Sequence, residues 1–98
     1  MKIFTDKELT KEVTELLDLG IVNAGDTKTF SFWIFNDTMA VLHELVFDLD
    51  HNEARVVEAP ENLDPRHTGV LIIEWSPTVT LKEGLKTQLR ISARELWG

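Results

Sequence analysis

Leu17-Asp18-Leu19-Gly20-Ile21-Val22-Asn23-Ala24-Gly25-Asp26-Thr27-Lys28-Thr29-Phe30-Ser31-Phe32-Trp33-Ile34-Phe35-Asn36-Asp37 is the stretch that decides the fold. A short apolar run enters Asn23-Ala24-Gly25-Asp26, which is turn chemistry. Beyond it Phe30, Phe32 and Ile34 alternate with Ser31, Trp33 and Phe35, so both faces of the next strand are largely apolar. Such a strand sits inside a sheet or at a contact between molecules.

Working outward, the pattern after residue 17 is β throughout. Strands are predicted at Leu17–Val22, Thr27–Phe35, Val41–Leu49, Arg55–Ala59 and Gly69–Trp75, with Val79–Leu81 as a short link. Leu85–Leu96 closes the chain, and Lys82-Glu83-Gly84 turns into it. Asn36-Asp37-Thr38 and Asp50-His51-Asn52 are turns. Pro60 and Pro65 bracket a segment predicted to hold no ladder, because proline donates no hydrogen bond. Six or seven short strands separated by turns predict an antiparallel β-sandwich. No segment after residue 20 has room for a crossover helix, which argues against a parallel sheet.

Residues 1–16 are set apart as an N-terminal arm. Leu9, Val13, Leu16 and Leu17 recur at helical spacing with Asp6 as an N-cap. The same residues also read as a hairpin, with Lys2–Thr5 and Lys11–Glu15 around Asp6-Lys7-Glu8. The domain proper is assigned to residues 17–98.

Size and charge narrow the function. The chain has 98 residues, one domain's worth, and a formal net charge of -7. Phosphate binding needs clustered Lys and Arg, and the basic residues here are dispersed, so nucleic acid is not expected as a partner. No apolar run is long enough to span a membrane as a helix. If Met1 is the native start, the absence of an apolar leader core predicts synthesis in the cytoplasm, with retention there or release by lysis. The lack of cysteine removes disulfides, thiolate nucleophiles and Cys-type zinc sites together.

Candidate chemical motifs are weak. Asp48-Leu49-Asp50-His51-Asn52-Glu53 alternates oxygen ligands as a calcium loop does. Glu53 stands where such a loop needs Gly, however, and Ala59 where it needs Glu, so an acidic turn is the better reading. His43, His51 and His67 are not at metal-ligand spacing. Ser31, Ser76 and Ser92 lack a nucleophile-elbow setting. Glu58 with Glu61, and Glu44 with Asp48, read as solvated carboxylates. No catalytic, cofactor or metal residue is assigned. The aromatic residues remain: Trp33 and Phe35 point away from Phe30 and Phe32 on a regular strand, and Trp97 ends the chain's last strand. Core filling with a few half-exposed rings, Trp97 capping the core, is one reading of these aromatics; the other is a contact between molecules, for which Trp33, Phe35 and Trp97 are the expected partner-contact residues.

The turns and core positions also carry a resemblance. Leu19-Gly20-Ile21-Val22, the Ala24-Gly25-Asp26-Thr27 turn, the aromatic strand Phe30–Asn36, the Leu-rich Leu42–Leu49, Leu63-Asp64-Pro65 and Trp75-Ser76-Pro77 together resemble the immunoglobulin-like domains of the major sperm protein and ASPM–SPD-2–Hydin type. Arg66 departs from the usual Gly after Pro65. The compact form is similar to immunoglobulin-like virion proteins of tailed bacteriophages, the head decoration and small neck or tail accessory proteins. The resemblance implies a non-enzymatic structural protein made in the host cytoplasm and carried on the virion. It would bind capsid or neck/tail proteins without a cofactor, and both a trimer at a three-fold capsid site and a monomer fit. The second expectation is a cytoplasmic interaction module of a cellular scaffold. Such motifs specify fold far better than function.

Overall fold

The computed structural model describes residues 1–97; Gly98, the last residue of the predicted 17–98 domain, lies outside the described residues. Alternation along β3 (Lys28–Phe35) does what its sequence requires: Phe32 and Ile34 are buried while Ser31 is exposed. β3 pairs antiparallel over its whole length with β6 (Thr68–Trp75), from Lys28 opposite Trp75 to Phe35 opposite Thr68. Leu71, Ile73 and Trp75 of β6 are fully buried on that same inward face. β1 (Lys2–Phe4) and β5 (Ala54–Glu58) complete a four-stranded sheet in the order β1-β3-β6-β5.

The other elements cover its inner face. β7 (Leu85–Thr87) pairs with β2 (Leu17–Gly20), and β8 (Leu89–Leu96) pairs with β4 (Val41–Leu49). β7 and β8 are the predicted Leu85–Leu96 strand interrupted only at Gln88. The break has a local cause: Asp50 at the end of β4 accepts hydrogen bonds from the Gln88 N–H and the Thr87 hydroxyl. Leu17 and Leu19 of β2, Leu42 of β4 and Leu85 of β7 join Phe32, Ile34, Leu71, Ile73 and Trp75 in one core. Each such burial contributes about 1.5–3 kcal/mol before chain entropy is counted. The described chain is all-β, with eight strands in several antiparallel sheets and no helix, an arrangement compatible with a β-sandwich.

Two sequence expectations are corrected. The helix over residues 6–17 does not form. Lys2–Phe4 is held extended by β3, and the chain returns through a hairpin-like turn in which Phe4 bridges Glu12 and Val13 N–H donates to Ile3 O at 2.7 Å. Asp6 closes this turn rather than capping a helix: its carboxylate accepts from Thr10 N–H, Lys11 N–H and the Thr10 hydroxyl. The segment between Pro60 and Pro65 does pair. Leu63 exchanges both backbone hydrogen bonds with Leu42, at 2.8 and 2.9 Å. The prolines flank the paired residue and so remove no donor from it.

The molecule is long, 48 × 25 × 18 Å, with a radius of gyration of 14.2 Å against roughly 12.6 Å for a compact chain of this length.

Candidate docking surface

Asn36 organises one end of the molecule. It closes β3, is fully buried, and uses its whole side chain. Nδ2 donates to the carbonyls of Ala40 at 2.9 Å, Leu63 at 3.0 Å and Asp64 at 3.1 Å. Oδ1 accepts from the Thr38 N–H at 3.0 Å and the Thr38 hydroxyl at 2.6 Å. Its backbone accepts from Arg66 N–H and donates to His67 O. One amide thus fastens the β3–β4 turn to the loop before β6. The turn presents Met39 to solvent at 72% exposure.

Beside that turn lies the end of β8. Leu96 pairs with Val41, so Trp97 continues past the first residue of β4, alongside the turn. Leu96 and Trp97 are 59% and 64% exposed. Isolated exposed apolar residues are ordinary, but three large ones at one end of a small domain mark a contact surface.

The odd-numbered side chains of β8 extend this surface along the strand. Leu89, Ile91, Ala93 and Glu95 line a groove of about 360 Å³ with Met1, Ile3, Thr38 and Leu42. Trp97 belongs to the same row, its indole Nε1 donating to Glu95 Oε2 at 3.2 Å. The groove lies where the two layers end: β1 closes the four-stranded sheet, its outer side bridged by the returning residues 11–13, and β8 pairs with β4 on one side only. The even-numbered row, Arg90, Ser92, Arg94 and Leu96, points to the opposite face, and its two arginines are paired within the chain. Arg90 pairs with Asp48 at 3.3 Å and Arg94 with Glu44 at 2.7 Å.

The structure separates the three residues that the sequence singled out. Trp97 lies at the exposed end just described. Trp33 and Phe35 lie outside the main core on the outer face of the four-stranded sheet, both partly covered. Trp33 sits in a cross-strand row between Phe4 and Val70, and the Arg66 guanidinium stacks 5.2 Å from the Phe35 ring centre. Met39, Leu96 and the groove row went unnoticed in the sequence. The alternation Leu89, Ile91, Ala93 was legible, but nothing in it says that the facing layer stops short.

The ionisable groups do not converge. Asp48 faces Arg90; Asp50 is held by Thr87 and Gln88; Glu53 Oε2 accepts from Thr78 N–H and hydroxyl at 3.1 and 2.7 Å. The acidic turn thus spends its carboxylates on protein donors, and the Thr87 hydroxyl, foremost, holds the Asp50 carboxyl below the usual carboxylate range. The Thr10 hydroxyl does the same for Asp6. His43 lies on β4, His51 in the β4–β5 turn, and His67 in the loop before β6, its ring Nδ1 2.9 Å from Pro65 O. Among the described residues no group of three or more His, Asp or Glu is placed to hold a metal ion, and no helix is long and apolar enough to cross a membrane.

The chain matches no family model, no curated protein and no solved structure, so its function has to be argued from this surface.

Proposed function

We propose that this chain is an immunoglobulin-like structural protein of a bacteriophage virion, bound to the capsid or neck surface as a decoration or stabilising protein. One observation carries the binding part of this reading: the exposed end at Met39, Leu96 and Trp97, where Trp97 continues the groove row of β8 and Leu96 faces the other side of the strand. The virion setting is supported by the resemblance of turns and core positions, and by a small acidic body with no assigned catalytic group. Trp97 is the principal anchor. An indole buries about 150–250 Å²; with 64% of it accessible, docking removes about 100–160 Å² from water. At about 25 cal/mol per Å² that contributes roughly 2.5–4 kcal/mol, the range of an interface hot spot.

The protein is made in the host cytoplasm and retained on the particle, where three copies around a three-fold site form the assembly. The test is quantitative immunoblotting of purified virions. Trp97→Ala reduces occupancy at limiting protein by about 30-fold or more, while virions that lack the chain altogether refute the assignment. The groove also favours a second reading, a cytoplasmic interaction module that takes a peptide from a cellular scaffold. Neighbouring genes for capsid, portal and tail proteins, as opposed to cytoskeletal or signalling genes, separate the two.

A further inference from the structure

We infer that the unpaired edge of β8, beside the groove it shares with β1, receives an extended strand from the partner protein, apolar at alternate residues and carrying a Lys or Arg opposite Glu95. This deepens the docking role proposed above and rests on it. β8 offers an unpaired strand edge eight residues long, and an added strand there satisfies its backbone groups. The groove beneath that edge is floored by Leu89, Ile91 and Ala93 and walled by Met1, Ile3 and Leu42. Every second side chain of an added strand would therefore enter a slot between the layers whose floor is aliphatic and whose rim carries Thr38 and Glu95, the alternation a strand supplies.

Charge selects the occupant. A second copy of this chain, paired β8 to β8 about a two-fold axis normal to the sheet, brings like faces together. Arg90 and Arg94 then meet the residues of their own row, and Glu95 meets only the apolar row or itself. No such register sets Glu95 against an arginine, and centring on Ser92 sets Arg90 against Arg94 twice over. Within the chain the arginines are already engaged, Arg55 with Glu74, Arg90 with Asp48, Arg94 with Glu44 and Arg66 on Phe35. Among the described residues no cation pairs with Glu95, and the protein carries a net charge of -7. A basic, apolar-alternating strand from another protein complements that edge; a symmetric copy does not.

The experiment selects binders to the full-length protein from a cell-surface library of random nonapeptides, then maps the best synthetic peptide by amide hydrogen exchange. Support is enrichment of Val, Ile or Leu at alternate positions with Lys or Arg between or beside them, together with new protection confined to β8. Glu95→Lys, an exposed and fold-neutral change, weakens that peptide about tenfold and shifts a repeat selection to Asp or Glu. Ala93→Trp, which fills the groove, abolishes binding. Acidic winners, protection away from β8, indifference to Glu95→Lys, or no enrichment over a scrambled library each overturn the inference. So does concentration-dependent self-association that Ala93→Trp removes, because the occupant is then a second copy. Virion immunoblotting is read independently. Occupancy without strand selection ends the inference and leaves the docking role standing, whereas strand selection without occupancy does the reverse.

Discussion

Replacing Asn36 by alanine tests the organisation of the docking end most directly. The amide is fully buried and makes three donated and two accepted hydrogen bonds across two loops. Truncation leaves the carbonyls of Ala40, Leu63 and Asp64 and the N–H of Thr38 without that partner. A buried polar group left unpaired costs about 1–3 kcal/mol. The Ala40 and Leu63 bonds are the buried ones, but Leu63 O keeps its bond from Leu42 N–H and Ala40 O its longer bond from the Thr38 hydroxyl, so the loss is that of about one unmet group and the weakened remainder, about 1–3 kcal/mol. Total stability for a domain of this size is roughly 5–15 kcal/mol, so the variant forfeits a large share of it. At about 4–8 °C per kcal/mol, the melting temperature falls by at least roughly 4 °C. Urea titration followed by tryptophan fluorescence measures the change, with Thr38→Ala as the control. That variant removes one hydroxyl and leaves the three carbonyls bound, so it costs about 1 kcal/mol. Asn36→Asp is at least as damaging as Asn36→Ala, because a carboxylate supplies no donor and is forced against three carbonyl oxygens. A loss below about 1 kcal/mol for Asn36→Ala, or equality with Thr38→Ala, refutes the reasoning that this amide fastens the turn to the loop.

Four further outcomes are expected. Gly84→Ala costs distinctly more than Gly25→Ala in chemical denaturation: both adopt positive φ (+81° and +86°), worth about 1–2 kcal/mol, but only at Gly84 would a Cβ lie 2.9 Å from a backbone atom, Gly20 O; equal losses refute the close approach. Asp50 has its folded pKa below the ordinary value of 3.8, so its contribution is present above that value and fades as pH falls through the folded pKa; the stability difference between wild type and Asp50→Asn is constant near neutrality and shrinks in acid titrations below about pH 4, and a difference that grows in acid contradicts it. Trp75 is fully buried with its Nε1 unpartnered, so Trp75→Phe relieves an unmet donor while opening a small cavity and costs under about 2 kcal/mol, against about 3–5 for Trp75→Ala; identical losses in urea melts refute this. Trp97→Ala alters the unfolding midpoint by less than about 0.5 kcal/mol, which calorimetry checks, and a larger loss means that the ring serves the fold.

Local chemistry made most of the strands readable. Hydrophobic alternation marks β4, and β3 and β6 are marked by short aromatic or β-branched apolar runs bounded by turn residues, signals that do not depend on what the strand packs against. The Gly25 and Gly84 turns were visible for a similar reason: few residues tolerate positive φ. The N-terminal segment was ambiguous because Leu9, Val13 and Leu16 satisfy a helical period, while the pairing of Lys2–Phe4 with β3 depends on residues thirty positions away. Single-strand patterns likewise marked Trp33 and Phe35 as rings off the core face. They could not reveal that Arg66 stacks on Phe35 or that Phe4 and Val70 flank Trp33, since those neighbours arrive from other strands.

By itself, then, the amino-acid order determined an antiparallel β domain with an aromatic central strand, dispersed charge and no cysteine chemistry, since periodicity, turn residues and composition are local properties. Only the tertiary structure decided which surface is left unfilled. The buried amide of Asn36, the exposed group Met39, Leu96 and Trp97, and the groove beside Leu89, Ile91 and Ala93 each join segments far apart in the chain. Exposure is the absence of a covering neighbour, and no strand carries a record of which neighbour will stop short.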